Sequence, residues 1–248
     1  TATGRKRWSA QFPGQQGAYK PVAVDNSRAL LYDKQKMMLL RPDATAPDWE
    51  FVAPQPHLAG EPLFSNELFF CVSSSRETRE SVNASSPKGK RKRLDKKTEE
   101  GGRQVLDISA VEAASGEERW RISLDNIFSD ALMIHAGTLY ALALLLEMPP
   151  PSTEIDALIE QDRQDLPFAS ALYAVNASTG IQQWKTDLQG IYSFPPMAAP
   201  DGLVVVTAGF VHFVSFAGNI LWSYPLEEQV VLAMRAFEDL VFISTGDG

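Results

Sequence analysis

The chain has 248 residues, 44% of them apolar and 22% charged, with 13 Phe and 5 Trp. That composition is globular and excludes a fibrous or wholly disordered chain, and the length suffices for a sizeable core. A net charge of −8 disfavours non-specific attachment to nucleic acid or an anionic bilayer, the single cysteine, Cys71, excludes an internal disulfide, and no apolar run approaches the ~20 residues of a membrane helix.

In chain order, the first landmark is a turn at Thr1–Gly4 followed four residues later by Trp8. Trp49 comes next, with Thr45 where a glycine would match. Cys71 sits in the apolar run LFFCV and reads as a small buried hydrophobe. Residues Ser74–Arg103 are rich in Ser, Lys and Arg and nearly free of apolar side chains. Then VEAASGEERWRISL (Val111–Leu124) places Gly116 four residues before Trp120. A second foreign segment, Glu147–Pro167, opens with EMPPPS and is acidic; its stretch Thr153–Gln164 is the one short helix candidate. The cleanest unit follows, ALYAVNASTGIQQWKTDL (Ala171–Leu188): an alternating strand, a turn ending at Gly180, and a strand opening at Trp184. Asp201–Tyr224 reads as three strands with glycine turns, the last pairing Gly218 with Trp222.

Four of the five tryptophans thus have a glycine four residues earlier, a coincidence of about one in ten thousand by chance, so a repeated unit is required. Successive tryptophans are 41, 71, 64 and 38 residues apart, and excising the two foreign segments brings the long gaps to 41 and 43. A period near 40 built of short strands is the signature of a four-stranded propeller blade. The expected fold is all-β: a β-propeller with about five blades over residues 1–248, interrupted by a basic disordered insertion at 74–103 and a Pro-rich acidic insertion at 147–167.

The pattern Ala-x-x-Gly-x-x-x-Trp after a Leu-Tyr-Ala strand resembles the tryptophan-docking repeat of the quinoprotein-like family, the pyrroloquinoline-quinone (PQQ) repeat propellers. Ala113–Gly116–Trp120 and Ala177–Gly180–Trp184 fit strictly; Gly4–Trp8 and Gly218–Trp222 fit with Thr1 and Ser215 at the alanine position. The resemblance implies that each tryptophan anchors one blade on the next, and it implies seven or eight blades in all, so this stretch is expected to be part of a larger propeller. It also implies an extracytoplasmic or secretory-lumen setting.

Enzymes of that family hold PQQ and calcium and use a pair of adjacent cysteines with carboxylate and amide calcium ligands. The chain has one cysteine, and Asp43, Asp201 and Asp247 fall in turn sequences rather than in a calcium loop. His57, His135 and His212 lack metal-ligand spacing, and His212, in an apolar strand, reads as a structural histidine. Neither a nucleophile elbow nor a phosphate-binding loop is present. Asn83-Ala-Ser85 and Asn176-Ala-Ser178 match the glycosylation pattern, the second inside the repeat motif itself.

No catalytic, cofactor or metal residue is therefore assigned. The remaining local signal is the basic run with Lys88, Lys90, Arg91, Lys92, Arg93, Lys96 and Lys97. Such a run is a solvated loop first, and a docking site for an acidic protein or for RNA second; it interleaves no aromatic side chain for base stacking. The expectation is a non-catalytic scaffold that mediates protein–protein interaction within a larger protein or complex. The alternative is part of a PQQ- and calcium-dependent alcohol or sugar dehydrogenase whose catalytic residues lie elsewhere.

Overall fold

The computed structural model describes residues 19–24, 28–41, 46–55, 57–77, 103–125, 127–145, 169–226, 231–237 and 240–246. They form eighteen strands in five sheets. The first sheet joins β1 (Lys20–Ala23), β2 (Ala29–Tyr32), β3 (Lys36–Leu40) and β4 (Trp49–Val52). The second joins β5 (His57–Ser65), β6 (Leu68–Glu77), β7 (Arg103–Glu112) and β8 (Glu118–Asp125). The third joins β9 (Ile127–His135), β10 (Thr138–Leu145), β11 (Ala169–Asn176) and β12 (Gln182–Leu188). The fourth joins β13 (Met197–Ala199), β14 (Gly202–Thr207), β15 (Phe210–Ser215) and β16 (Ile220–Pro225). Each is an antiparallel meander in sequence order, which is the blade of a β-propeller. The fifth sheet holds only β17 (Val231–Phe237) and β18 (Leu240–Thr245) among the described residues. Among the described residues the count is four whole blades and a hairpin of a fifth.

The core is not one mass but four layers, one between each pair of successive sheets. This arrangement explains why the middle strands read as continuous apolar runs. In β11, Ala171, Tyr173 and Val175 pack toward the second sheet, while Leu172 and Ala174 pack toward the fourth. The second, third and fourth blades are sandwiched, so both sets of alternating side chains in their middle strands leave water. All six residues of β14 are buried for the same reason. Edge strands are more exposed because only one of their faces meets a neighbour.

The two foreign segments fall at equivalent places, between the second and third strands of the second and third blades. Their boundaries need adjusting. β6 continues to Glu77 and β7 begins at Arg103, with Ser74 paired to Leu106 and Glu77 to Arg103. The hairpin thus extends four residues past the composition break at Ser74, because backbone pairing does not require apolar side chains. The acidic segment lies between Leu145 and Ala169, and both it and its helix candidate Thr153–Gln164 fall outside the described residues.

A candidate interaction face

Three of the repeated tryptophans do the same work. The Trp49 indole N–H donates to the Ala113 carbonyl at 2.9 Å, Trp120 to Ala177 at 3.0 Å, and Trp184 to Phe216 at 3.0 Å. In every case the acceptor belongs to the turn between the third and fourth strands of the next blade. The glycine of that turn lies flat on the ring. A Cβ built on Gly116 would lie 2.7 Å from Trp49, one on Gly180 2.7 Å from Trp120, and one on Gly218 2.7 Å from Trp184. Glycine is required twice over, because φ at the three positions is +75°, +73° and +88°.

The glycine and tryptophan of one sequence motif therefore belong to different interfaces: the glycine receives the preceding blade's ring, and the tryptophan reaches forward. A bulge in the third-to-fourth-strand ladder precedes Trp120, Trp184 and Trp222 alike, and gives the fixed offset between glycine and ring. The residue that offers its carbonyl to the indole need not be alanine. Ser215 was expected at the alanine position, but its N–H bonds to Asn219 just as Asn176 bonds to Ile181 and Glu112 to Glu117. Phe216 is the counterpart of Ala113 and Ala177. The turn of the fourth blade is one residue shorter, which the constant glycine–tryptophan spacing conceals. The Phe216 ring stacks on His135 at 4.9 Å, so that histidine is part of blade packing. Trp222 differs from the other three: it stacks on Phe213 but remains 48% exposed. Gly4 and Trp8 lie outside the described residues.

Two ends of the blade stack can be distinguished. In an antiparallel meander the first-to-second and third-to-fourth connections share one end. A cleft of about 590 Å³ lies there, lined by turns of both the second and third blades, among them Asn66, Glu67, Ala136, Gly137 and Asn176. Since both blades present the same turns to one cleft, they are oriented alike. Their second-to-third connections, which carry the two foreign segments, therefore share the opposite end. Asn176 is committed to its turn: its side-chain carbonyl accepts from the Ser178 N–H and hydroxyl and from the Thr179 N–H. This accounts for the residue without a glycan.

The end bearing the segments is braced by buried polar side chains that hold the blade-to-blade connectors. Asp107 on β7 accepts from the Gln55 amide at 2.9 Å and from the Ser123 hydroxyl. Ser170 on β11 donates to the Gly190 carbonyl and accepts from the Tyr192 N–H. His212 on β15 is buried, with Nε2 3.3 Å from the Gln189 carbonyl and 3.2 Å from the Thr207 hydroxyl. A carbonyl can only accept, so Nε2 carries the proton and Nδ1 accepts from Ser223 at 2.8 Å. The structural reading of His212 is thus given partners.

Burial holds the His212 pKa below its usual value, only partly opposed by the bond to Gln189. The folded state then binds this proton less readily than the unfolded chain, so stability is complete above about pH 6.5 and declines as pH falls from there toward the folded pKa. Urea titrations of the wild-type chain and of His212→Gln between pH 7.5 and 5 should show the wild type losing stability more steeply on acidification.

None of these groups forms a reactive centre. Among the described residues no three His, Cys, Asp or Glu side chains gather as a metal site. Cys71 is buried and its thiol is pushed up to about 12, chiefly by burial. Asp43 and Asp247 lie outside the described residues; Asp201 occupies a turn. The basic residues Lys88, Lys90, Arg91, Lys92, Arg93, Lys96 and Lys97 also lie outside them. No helix of the described residues is long and apolar enough to cross a membrane.

Residues 169–248 match a family profile described as outer membrane protein assembly factor BamB, of the PQQ repeat type. The chain folds as a β-propeller, and the match to the PQQ-type repeat family covers its last 80 residues. Among solved structures, the computationally designed Ika8 protein is 11% identical, with a TM-score of 0.59 over 96% of this chain and 59% of that one. A quinohemoprotein alcohol dehydrogenase from Pseudomonas putida is 12% identical, with a TM-score of 0.48 over 84% of this chain and 34% of that one. BamB from Moraxella catarrhalis is 14% identical, with a TM-score of 0.30 over 91% and 79%. The chain spans about three fifths of the designed protein and a third of the dehydrogenase. No curated protein matches it.

Proposed function

We propose that this PQQ-repeat chain is a non-catalytic scaffold that docks protein partners within a larger protein or complex, through the end of the blade stack that carries its two inserted segments. The observation that carries this reading is positional: both insertions leave adjacent blades between the second and third strands, on one shared end. Their charges are opposite in sign. Residues 78–102 hold eight basic and four acidic side chains, and residues 146–168 hold one basic and six acidic ones. A rigid stack with two segments of unlike charge anchored on adjacent blades is suited to a partner surface with charges of both signs. On this reading the chain binds neither PQQ nor calcium, in keeping with its lone, buried cysteine. The family description, an outer membrane assembly factor, favours a partner-binding role and an extracytoplasmic or luminal setting.

The test replaces residues 78–102 and 146–168, separately and together, with short turns, leaving every described strand intact. Thermal unfolding should stay within a few degrees of the parent, while affinity purification followed by mass spectrometry should lose a defined set of partners. An unchanged partner set in the double deletion would refute the reading. Dye-linked alcohol oxidation by the larger protein that holds the chain, with added PQQ and calcium, would instead establish the dehydrogenase alternative.

A further inference from the structure

We infer that the second blade holds a buried site for one monovalent cation, formed by Asp107, Ser73 and Ser123 beneath Gln55. The site shares an end of the stack with the inserted segments but does not depend on them. Four residues form a row across the sheet. Leu58 on β5 lies opposite Ser73 on β6, Ser73 opposite Asp107 on β7, and Asp107 opposite Ser123 on β8. Leu58 packs in the layer between the first and second blades, as do Cys71 and Phe69, two and four residues before Ser73. The row therefore faces the first blade.

Two features of this row exceed what a tether needs. The first is charge. Asp107 is 2% exposed, and its two hydrogen-bond partners among the described residues, the Gln55 amide and the Ser123 hydroxyl, are neutral. A buried carboxylate without a counter-charge is costly, and two neutral donors offset only part of that cost. Ser170 and His212, on the third strands of the next two blades, hold their connectors as neutral groups, so holding a connector requires no charge. The second feature is an orphaned atom. Ser73 Oγ is the one buried side-chain polar atom among the described residues that lacks a hydrogen-bond partner. It stands beside Asp107 in the row, where directly opposed residues have Cβ atoms about 5 Å apart. An ion between them would fill the lone pairs of Ser73 Oγ and neutralise the carboxylate. Ser123 donates its proton to Asp107 and so keeps lone pairs for the same ion. One carboxylate balances one positive charge. Calcium, by contrast, takes about six to eight oxygens, commonly from several carboxylates, and no such acidic group gathers among the described residues. Sodium and potassium share the chemistry that remains.

The test follows thermal unfolding of the full 248-residue chain in sodium, potassium and choline chloride at one fixed ionic strength, choline being too bulky to enter. Sodium or potassium should raise the midpoint saturably by about 2–4 °C over choline, and the stronger response identifies the ion. Asp107→Asn should abolish that difference. Ser73→Ala supplies a reading that does not require the Asp107 variant to fold. Removing an orphaned hydroxyl is neutral or stabilising when nothing is bound. Ser73→Ala should therefore match or exceed the parent in choline and fall below it in the preferred cation. Equal midpoints in the three salts overturn the proposal, as does a response to added calcium alone. It is also overturned if Asp107→Asn keeps the cation response, or if Ser73→Ala matches or exceeds the parent in every salt.

Discussion

Trp49→Ala is expected to destabilise the chain by about 3–5 kcal/mol, and Trp222→Ala by only about 1 kcal/mol. The two side chains occupy the same motif position in different blades, so sequence alone would assign them equal weight. Trp49 is 8% exposed, packs edge-on against Phe69 at 5.8 Å, covers Gly116 and donates to Ala113. Truncation removes the ring from a layer that cannot collapse around the gap, since both flanking sheets are held by their own ladders. It also strips the Ala113 carbonyl of its donor in a site closed to water, which adds a desolvation penalty. Among the described residues Trp222 has one ring neighbour, Phe213 at 5.4 Å, and half of its surface is already in water. Urea denaturation of the two variants, monitored by far-ultraviolet circular dichroism because each substitution removes a fluorophore, measures the difference directly. Equal losses would mean that Trp222 is covered in solution.

The blades were legible because the repeat joins a glycine to a tryptophan at an offset that chance does not supply. Composition was enough to separate the inserted segments, since a strand in a sandwiched sheet must be apolar on both faces and these segments are not. It was not enough to bound them. Ser74–Glu77 pair with Arg103–Leu106 through backbone hydrogen bonds that leave no trace in hydropathy. The counterpart of the motif alanine in the fourth blade was hidden for another reason. A turn one residue shorter in the fourth blade moves Phe216 into the position of Ala113 and Ala177, and constant glycine–tryptophan spacing masks the change. The exposure of Trp222 was unreadable from the motif, because what buries a repeat tryptophan lies one blade further on.

The face chosen for partner docking depended on topology rather than on any residue pattern. Two insertions 40 or more residues apart in sequence come to one end only because each interrupts the same connection of an antiparallel meander. The charge of each segment was visible in the sequence; the shared end of their flanking strands was not. Nor was the bracing beneath them. Asp107, Ser170 and His212 are scattered polar residues in apolar strands, and each is explained by a connector backbone or side chain from a neighbouring stretch that it holds. A buried polar group in a strand of this fold therefore signals a tether before it signals chemistry.

Gly180→Ala and Gly137→Ala should differ in cost, and the difference isolates the ring contact on which the stack depends. Both glycines have left-handed backbones, with φ of +73° and +78°, so both substitutions incur the backbone penalty of about 1–2 kcal/mol for an L-residue there. A Cβ at Gly137 meets nothing within 4 Å, whereas one at Gly180 falls 2.7 Å from the Trp120 ring. The Trp120 ring is backed by Phe70 at 5.9 Å and anchored by its bond to Ala177, so it cannot retreat without opening the layer. Gly180→Ala should accordingly cost about 1–3 kcal/mol more than Gly137→Ala, the range for overpacking a closed core. Gly180→Val should be worse still, since a second branch enters the same ring. A double-mutant cycle supplies the decisive comparison: with Trp120→Ala in the background, the excess cost at Gly180 should vanish while the cost at Gly137 stays the same. If the excess persists without the indole, the glycine serves its turn alone, and the tryptophan does not set the spacing between blades.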